Sequence, residues 1–182
     1  MSLFTCIKLI LLCCICVIAT VPKDIATWTW ISGNDVPFTP GVYGQKGQAS
    51  SDNVPGARRS SVGWYDEDAQ ELWVFGGFGC DSNGTVGAWI CCFGNMIMSI
   101  NVLLGLLNDL WRYKMNEGLW TWISGSETVN QLGVYGEKGI SKSDNIPGAR
   151  GGSVGWLVIN SENKEFWIFG GDGFDTMNLD FR

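Results

Sequence analysis

Glu71-Leu72-Trp73-Val74-Phe75-Gly76-Gly77 alternates its apolar side chains with period two and then runs into paired glycines. That pattern predicts a half-buried β-strand ending tightly at the double glycine. Trp167-Ile168-Phe169-Gly170-Gly171 repeats its second part at a shift of 94 residues, from 73 to 167. The repetition spreads outward at a shift of 92, from 28 to 120: Trp28-Thr29-Trp30-Ile31-Ser32-Gly33 returns as Trp120-Thr121-Trp122-Ile123-Ser124-Gly125. Gly41-Val42-Tyr43-Gly44 returns at 133–136, Pro55-Gly56-Ala57-Arg58 at 147–150, and Ser61-Val62-Gly63-Trp64 at 153–156. Identities in this order mark an internal duplication, which governs every later step of element assignment.

Within one repeat four runs read as strands: Arg59 to Trp64, Glu71 to Gly77, Asp109 to Met115 and Leu119 to Gly125. Turns at Asp66-Glu67-Asp68 and Asn116-Glu117-Gly118 separate them. A four-stranded antiparallel meander that recurs along a chain is the unit of a β-propeller, because one such blade cannot bury both faces and must stack on neighbours. The predicted fold is therefore all-β, an incomplete propeller of about one and a half blades. It comprises an outer strand (Trp28 to Gly33), one full blade (Arg58 to Gly125) and half of another (Arg150 to Gly173). Tryptophans at alternating strand positions are expected to pack between blades. With few neighbours present, Trp30, Trp73, Trp111, Trp122 and Trp167 are expected to keep apolar faces uncovered.

Pro-Gly-Ala-Arg, Ser-Val-Gly-Trp and Leu-Trp-Val-Phe-Gly-Gly at 72–77, followed by Leu-Asn-Asp-Leu-Trp-Arg-Tyr at 107–113 and Trp-Thr-Trp at 120–122, resemble kelch repeats. More narrowly, the chain is similar to secreted kelch-motif proteins with a galactose-oxidase-like central propeller, over residues 27–87 and 106–175. The resemblance makes Arg58, Trp64, Gly76, Gly77, Asp109, Trp111 and Trp122 structural motif positions. Arg150, Trp156, Gly170 and Gly171 repeat them. It implies binding of a protein or a sugar through loops. The oxidase members add a copper site with histidine ligands, and that chemistry does not carry over, since the chain has no histidine.

The absence of histidine also removes a Ser-His-Asp triad, a Cys-His dyad and His-ligated zinc or copper. A formal net charge of −6 gives no basic surface for nucleic acid. Met1 to Lys8 carries one positive charge, and an 11-residue apolar run, Leu9 to Ala19, precedes Lys23-Asp24. This is the pattern of a secretory leader, so residues 1–19 are expected to be a signal peptide and residues 20–182 the mature, extracellular chain. Cleavage removes Cys6, Cys13, Cys14 and Cys16 and leaves Cys80, Cys91 and Cys92, an odd number whose pairing stays open. A further apolar stretch, residues 88–105, interrupts the loop between the second and third strands. An insertion touching a membrane and translated intron sequence both fit it, and a membrane-associated chain is the alternative to a secreted one.

The loops Ser32 to Ala57 and Ser124 to Ala149 share their polar residues. They would present Tyr43, Lys46 and Asn53, with Tyr135, Lys138 and Asn145, around one face as a binding rim. Repetition in every blade favours a folding role for the same residues. Arg58 is expected to pair inside the blade with Asp109. No carboxylate pair is readable as a glycosidase constellation. Asp81-Ser82-Asn83-Gly84 resembles part of a calcium loop but lacks the distal Glu, so a turn accounts for it. Asn83-Gly84-Thr85 is a glycosylation sequon. The expected function is thus a non-catalytic, secreted kelch-repeat protein without cofactor that recognises a protein or glycan. The alternatives are a truncated carbohydrate-active relative and a nonfunctional gene fragment, the last two suggested by residues 174–182, which lack Leu-Asn-Asp-Leu-Trp.

Overall fold

A computed structural model describes residues 16–20, 27–85, 92–93, 96–97, 105–160 and 163–175. They are all-β, with antiparallel pairing throughout and no helix among them. The first strands are β1 (Cys16–Thr20), β2 (Thr27–Ser32), β3 (Ala49–Ser50), β4 (Arg58–Arg59), β5 (Val62–Asp66) and β6 (Glu71–Gly79). After β7 (Cys92–Phe93) and β8 (Met96–Ile97) come β9 (Gly105–Lys114) and β10 (Leu119–Ser124). The last are β11 (Arg150–Gly151), β12 (Val154–Ile159), β13 (Lys164–Phe169) and β14 (Asp172–Gly173).

The main sheet has the order β3-β10-β9-β6-β4, with β5 on the same edge of β6 as β4. Its meander is the one expected from the four runs, and its register puts Trp64 opposite Trp73 and Val74 opposite Trp111. The run Arg59 to Trp64, expected as one strand, is split into β4 and β5, with β5 reaching Asp66, and two further strand ends differ from expectation. β6 does not stop at the double glycine but continues to Gly79, through a register shift between Phe75 and Gly77. Gly76 and Gly77 have φ of 61° and 100°, values open to glycine, so the pair forms a bulge where a turn was expected. The bulge aims the Gly76 carbonyl sideways, where it accepts from Ser61 Oγ at 2.8 Å and Arg58 Nη1 at 3.1 Å. β9 begins at Gly105, well before Asp109, because Leu106 and Leu107 are buried and Leu106 packs beside Phe78 and Ala149. The expected insertion therefore loses its last residue to the sheet. Gly105 pairs with Gly79, and a Cβ there would collide with Val129. Apart from β7 and β8, which pair with each other, the rest of residues 88–104 lies outside the described residues.

The second repeat contributes a hairpin, β12–β13, in which Trp156 faces Trp167 as Trp64 faces Trp73. Leu157, Phe166 and Ile168 pack on Val62, Trp64 and Phe75 of the first sheet. Phe166 lies 5.3 Å from the Trp64 ring and 4.6 Å from that of Trp73. Burying such side chains is worth about 1.5–3 kcal/mol each, which is what holds the hairpin on the sheet. Gly155 permits the approach, since a Cβ there would come within 2.9 Å of Trp64 Nε1. A backbone bond from Gly152 N to Ser60 O, 2.9 Å, and an ion pair from Lys164 to Asp66 add polar links. Asp66 is accordingly buried at the end of β5, in contrast to the surface turn expected for it.

On the opposite face Tyr43, Trp111, Tyr113 and Trp120 form a second core with Leu72, Val74 and Trp122. Trp111 is fully buried, against the expectation that its face would be uncovered, because Tyr43 lies 4.9 Å from it and Trp120 6.3 Å. Trp30 and Trp167 are exposed, while Trp73 and Trp122 are half-buried. The end of the expected leader, residues 16–19, lies in β1 (Cys16–Thr20), which pairs with β2, and residues 1–15 lie outside the described residues.

Candidate functional site

Residues 33–57 run between β2 and β4 as a long loop interrupted by β3, and hydrogen bonds fix it. Val42 and Val54 exchange backbone bonds of 2.8 and 3.0 Å, Gly47 N donates to Trp122 O at 2.7 Å, and Ala57 N donates to Thr39 O at 2.9 Å. The loop delivers Tyr43 into the sheet, where its hydroxyl donates to Asp109 Oδ2 at 2.7 Å. Arg58 holds the same carboxylate with both Nη atoms at 2.7 Å, and Trp111 Nε1 donates to Oδ2 at 2.7 Å. Oδ1 accepts one of these bonds and Oδ2 three, so both carboxylate oxygens are engaged, which is the condition under which a buried charge is tolerated. Burial, and then the Asp109 charge, push the Tyr43 phenol far above its usual range.

This geometry places the residues expected to form a binding rim. Tyr43 and Asn53 are buried, and Asn53 Nδ2 is spent on Gln48 O at 2.9 Å and Trp120 O at 3.1 Å. Lys46 donates to Gly125 O at 2.8 Å with its ammonium 4.3 Å from the Trp122 ring. Tyr43 thus ties the loop to β9, Asn53 ties it to β10 and also lines the cleft described below, and Lys46 reaches Gly125 O from an exposed position. Among their counterparts Lys138 is exposed as Lys46 is, whereas Tyr135 is exposed where Tyr43 is buried and Asn145 is only half-buried, its Nδ2 donating to Ile140 O at 3.1 Å. Arg150 repeats the local bonds of Arg58, with Nε to Gly148 O at 3.1 Å and Nη1 to Gly170 O at 3.3 Å. Its Nη2 donates to Tyr135 Oη at 2.8 Å, and no carboxylate among the described residues pairs with it.

What the loop does offer is a cleft of 330 Å³ between its two limbs, at the lower end of the size range of small-molecule sites. Pro40, Val42 and Val54 supply apolar wall, and Ser32, Asn34 and Asp52 supply hydroxyl, amide and carboxylate. In sequence Asn34 is marked only as a loop residue and Asp52 only by the repeat of Ser51-Asp52-Asn53 at 143–145.

The other buried carboxylates are structural. Asp81 Oδ1 accepts from Asn83 N at 3.0 Å and Thr85 N at 2.7 Å, so it caps a turn, and its Oδ2 accepts from Val129 N at 3.3 Å. The Lys164 hydrogen bond holds the Asp66 carboxyl below the usual carboxylate range and raises the lysine above its own. Strand alternation could have revealed Asp66, since it follows Val62 and Trp64 on one face. Cys80 is a free buried thiol whose pKa burial, then Asp81, pushes up, so it is poorly set to react. Among the described residues no three His, Cys, Asp or Glu side chains converge as a metal site. Asn83 is exposed on its turn, and that turn borders the cleft, since a Cβ at Gly84 would lie 3.2 Å from Pro40. Compared with known proteins, the chain matches no protein-family model and no curated relative.

Proposed function

We propose that the chain is a secreted, kelch-type propeller segment that works by binding a protein or glycan and not by catalysis. The partner enters through the cleft of residues 32–57. The observation that carries this reading is the arrangement of that loop: Tyr43 and Asn53 are buried in holding it, Lys46 is bonded to Gly125 O, and the cleft they support sets polar and apolar groups side by side. A fixed, mixed lining is the character of a recognition site. The non-catalytic part is supported by Asp66, Asp81 and Asp109, the buried carboxylates, each engaged by N–H or O–H donors. Secretion is supported by the leader-like residues 1–19 and by the exposure of the Asn83 sequon.

The test is expression of the full chain in a secretory host, followed by a glycan array and titration of any glycan retained. Val42→Arg fills the cleft from an exposed position and is expected to weaken binding at least about tenfold with an unchanged melting temperature. Binding that survives Val42→Arg and Asp52→Asn alike would contradict the assignment of the cleft. A product formed from the bound glycan would contradict the non-catalytic reading.

A further inference from the structure

The sequon Asn83-Gly84-Thr85 lies just past the end of β6, on a turn that the cleft's own loop holds in place. Cys80 N donates to Ala57 O at 3.0 Å, and Gly41 N donates to Asp81 O at 3.2 Å. A Cβ at Gly56 would lie 2.1 Å from Cys80 O. Residues 80 and 81 are thus pinned to both limbs of the cleft loop. Asp81 then closes the turn: its Oδ1 accepts from Asn83 N and Thr85 N, and its backbone carbonyl accepts from Gly84 N at 3.2 Å. A sequon fixed by this many bonds keeps one position relative to the cleft.

That position is beside the cleft wall. Asn83 and Thr85 are exposed, and Asn83 spends its backbone N–H on the turn. One residue on, about 3.8 Å along the chain, Gly84 stands against Pro40, which lines the cleft. Val36 and Val42 of the same lining are 56% and 47% exposed, so apolar surface lies open next to an acceptor for sugar. Asp52 is the one ionised side chain among the described lining residues, and a carboxylate accepts from hydroxyls and repels acidic groups.

We propose that Asn83 carries an N-linked oligosaccharide whose first sugars lie over Pro40 and Val42 and cap the cleft. The glycosylated chain is then closed to a partner and the unmodified chain open. This inference rests on the cleft of residues 32–57 being the partner's site. In the modification the Asn83 side-chain nitrogen attacks the anomeric carbon of a lipid-diphosphate oligosaccharide. A C–N bond forms, the C–O bond to the diphosphate breaks, and the amide gives up one proton as the lipid diphosphate leaves. The attached group is bulky, uncharged in its first sugars and rich in hydroxyls. Its ring faces suit the proline and valine wall, and its hydroxyls suit Ser32, Asn34 and Asp52. Tethering next to the cleft gives these sugars a high effective concentration, so weak contacts are enough to hold the cap.

The test uses the full chain, joined to an unrelated secretory leader so that a failed leader is not read as a failed sequon. Its intact mass is expected to fall on treatment with a peptide-N-glycosidase. Thr85→Val, which keeps the backbone bond to Asp81, is expected to abolish that fall, and Thr85→Ser to restore it. Access to the cleft is read with polyethylene-glycol maleimide on Val42→Cys, subtracting the labelling of the parent chain's own thiols. Labelling is expected to run several-fold faster after deglycosylation and in the Thr85→Val background, and Val36→Cys serves if Val42→Cys fails to fold. Ile159→Cys, exposed on β12 outside the cleft lining, is expected to label at one rate in both forms. No glycan on Asn83, equal rates at the cleft in both forms, or an equal gain at Ile159→Cys would overturn the proposal. Slowed labelling in a chain whose unmodified form retains nothing on the glycan array would support the cap and contradict the partner site. A ligand retained at the cleft with equal labelling rates would do the reverse.

Discussion

Val62, Trp64 and Phe75 are 6%, 4% and 4% exposed, whereas their repeats Val154, Trp156 and Phe169 are 61%, 46% and 71% exposed. The side chains are identical or nearly so, and the local strand register is the same. The difference is a neighbour. The first set lies under Leu157, Phe166 and Ile168 of the second repeat, and no described element lies on the second set. Burial in a repeat architecture is therefore a property of position in the stack, since each unit is stabilised across its interfaces more than within itself.

Substitutions made in pairs, one in each repeat, can break or sharpen that comparison. The largest gap is expected at the arginines. Arg58→Ala leaves Asp109 buried and uncompensated, a loss of about 3–5 kcal/mol, while Arg150→Ala should cost below about 1 kcal/mol. Urea denaturation of the two variants reads the difference directly. Trp64→Ala empties the interface between hairpin and sheet and should cost about 3–5 kcal/mol, against about 0.5 kcal/mol for Trp156→Ala. Equal costs at the tryptophans would mean that the second face is covered after all. At the glycines, Gly76→Ala combines positive φ with a Cβ 2.7 Å from Arg150 O, whereas Gly170→Ala meets only the positive φ. The expected losses are about 3 and about 1 kcal/mol, read as shifts in melting temperature.

The smallest effect concerns pH. The Asp66 carboxyl is lowered by its bond to Lys164, so its contribution is fully present above the unfolded carboxylate value near 3.9 and fades as pH falls through the lower folded value. Lys164 is raised, so the same contact persists through neutral pH and fades only as pH climbs past about 10.4 toward its folded value. Between these limits docking of the hairpin should be insensitive to pH. Tryptophan fluorescence in acid should show early loosening of β12–β13, and Asp66→Asn should remove that acid dependence while weakening docking at neutral pH.

The strands were legible because period two and the 92-residue repeat reinforce each other, and the Arg58–Asp109 pair because both stood at motif positions. Less legible was what a partner strand decides. Tyr43 and Asn53 look like loop residues until β9 and β10 lie over them, and repetition alone does not tell a buried phenol from an exposed one. Paired glycines fit a turn and a bulge equally well in sequence, and the Gly76 carbonyl bound by Arg58 and Ser61 distinguishes them only in three dimensions. The start of β9 was hidden because Leu106 and Leu107 continue an apolar run, which reads the same in an insertion and in a buried strand. Asp52 stood in a repeated triplet, but the cleft around it was not legible, since it arises from how the Val42–Val54 pairing folds one limb of the loop on the other.

Native-state hydrogen exchange of the intact chain tests most directly whether neighbours, and not side chains, set the stability of each repeat. Amides in the β5–β6 and β6–β9 ladders should exchange only through global unfolding, and those of β12 and β13 should exchange faster by at least about tenfold through a local opening. Equal protection in the two hairpins would contradict this, because it would show the second repeat to be as fully supported as the first.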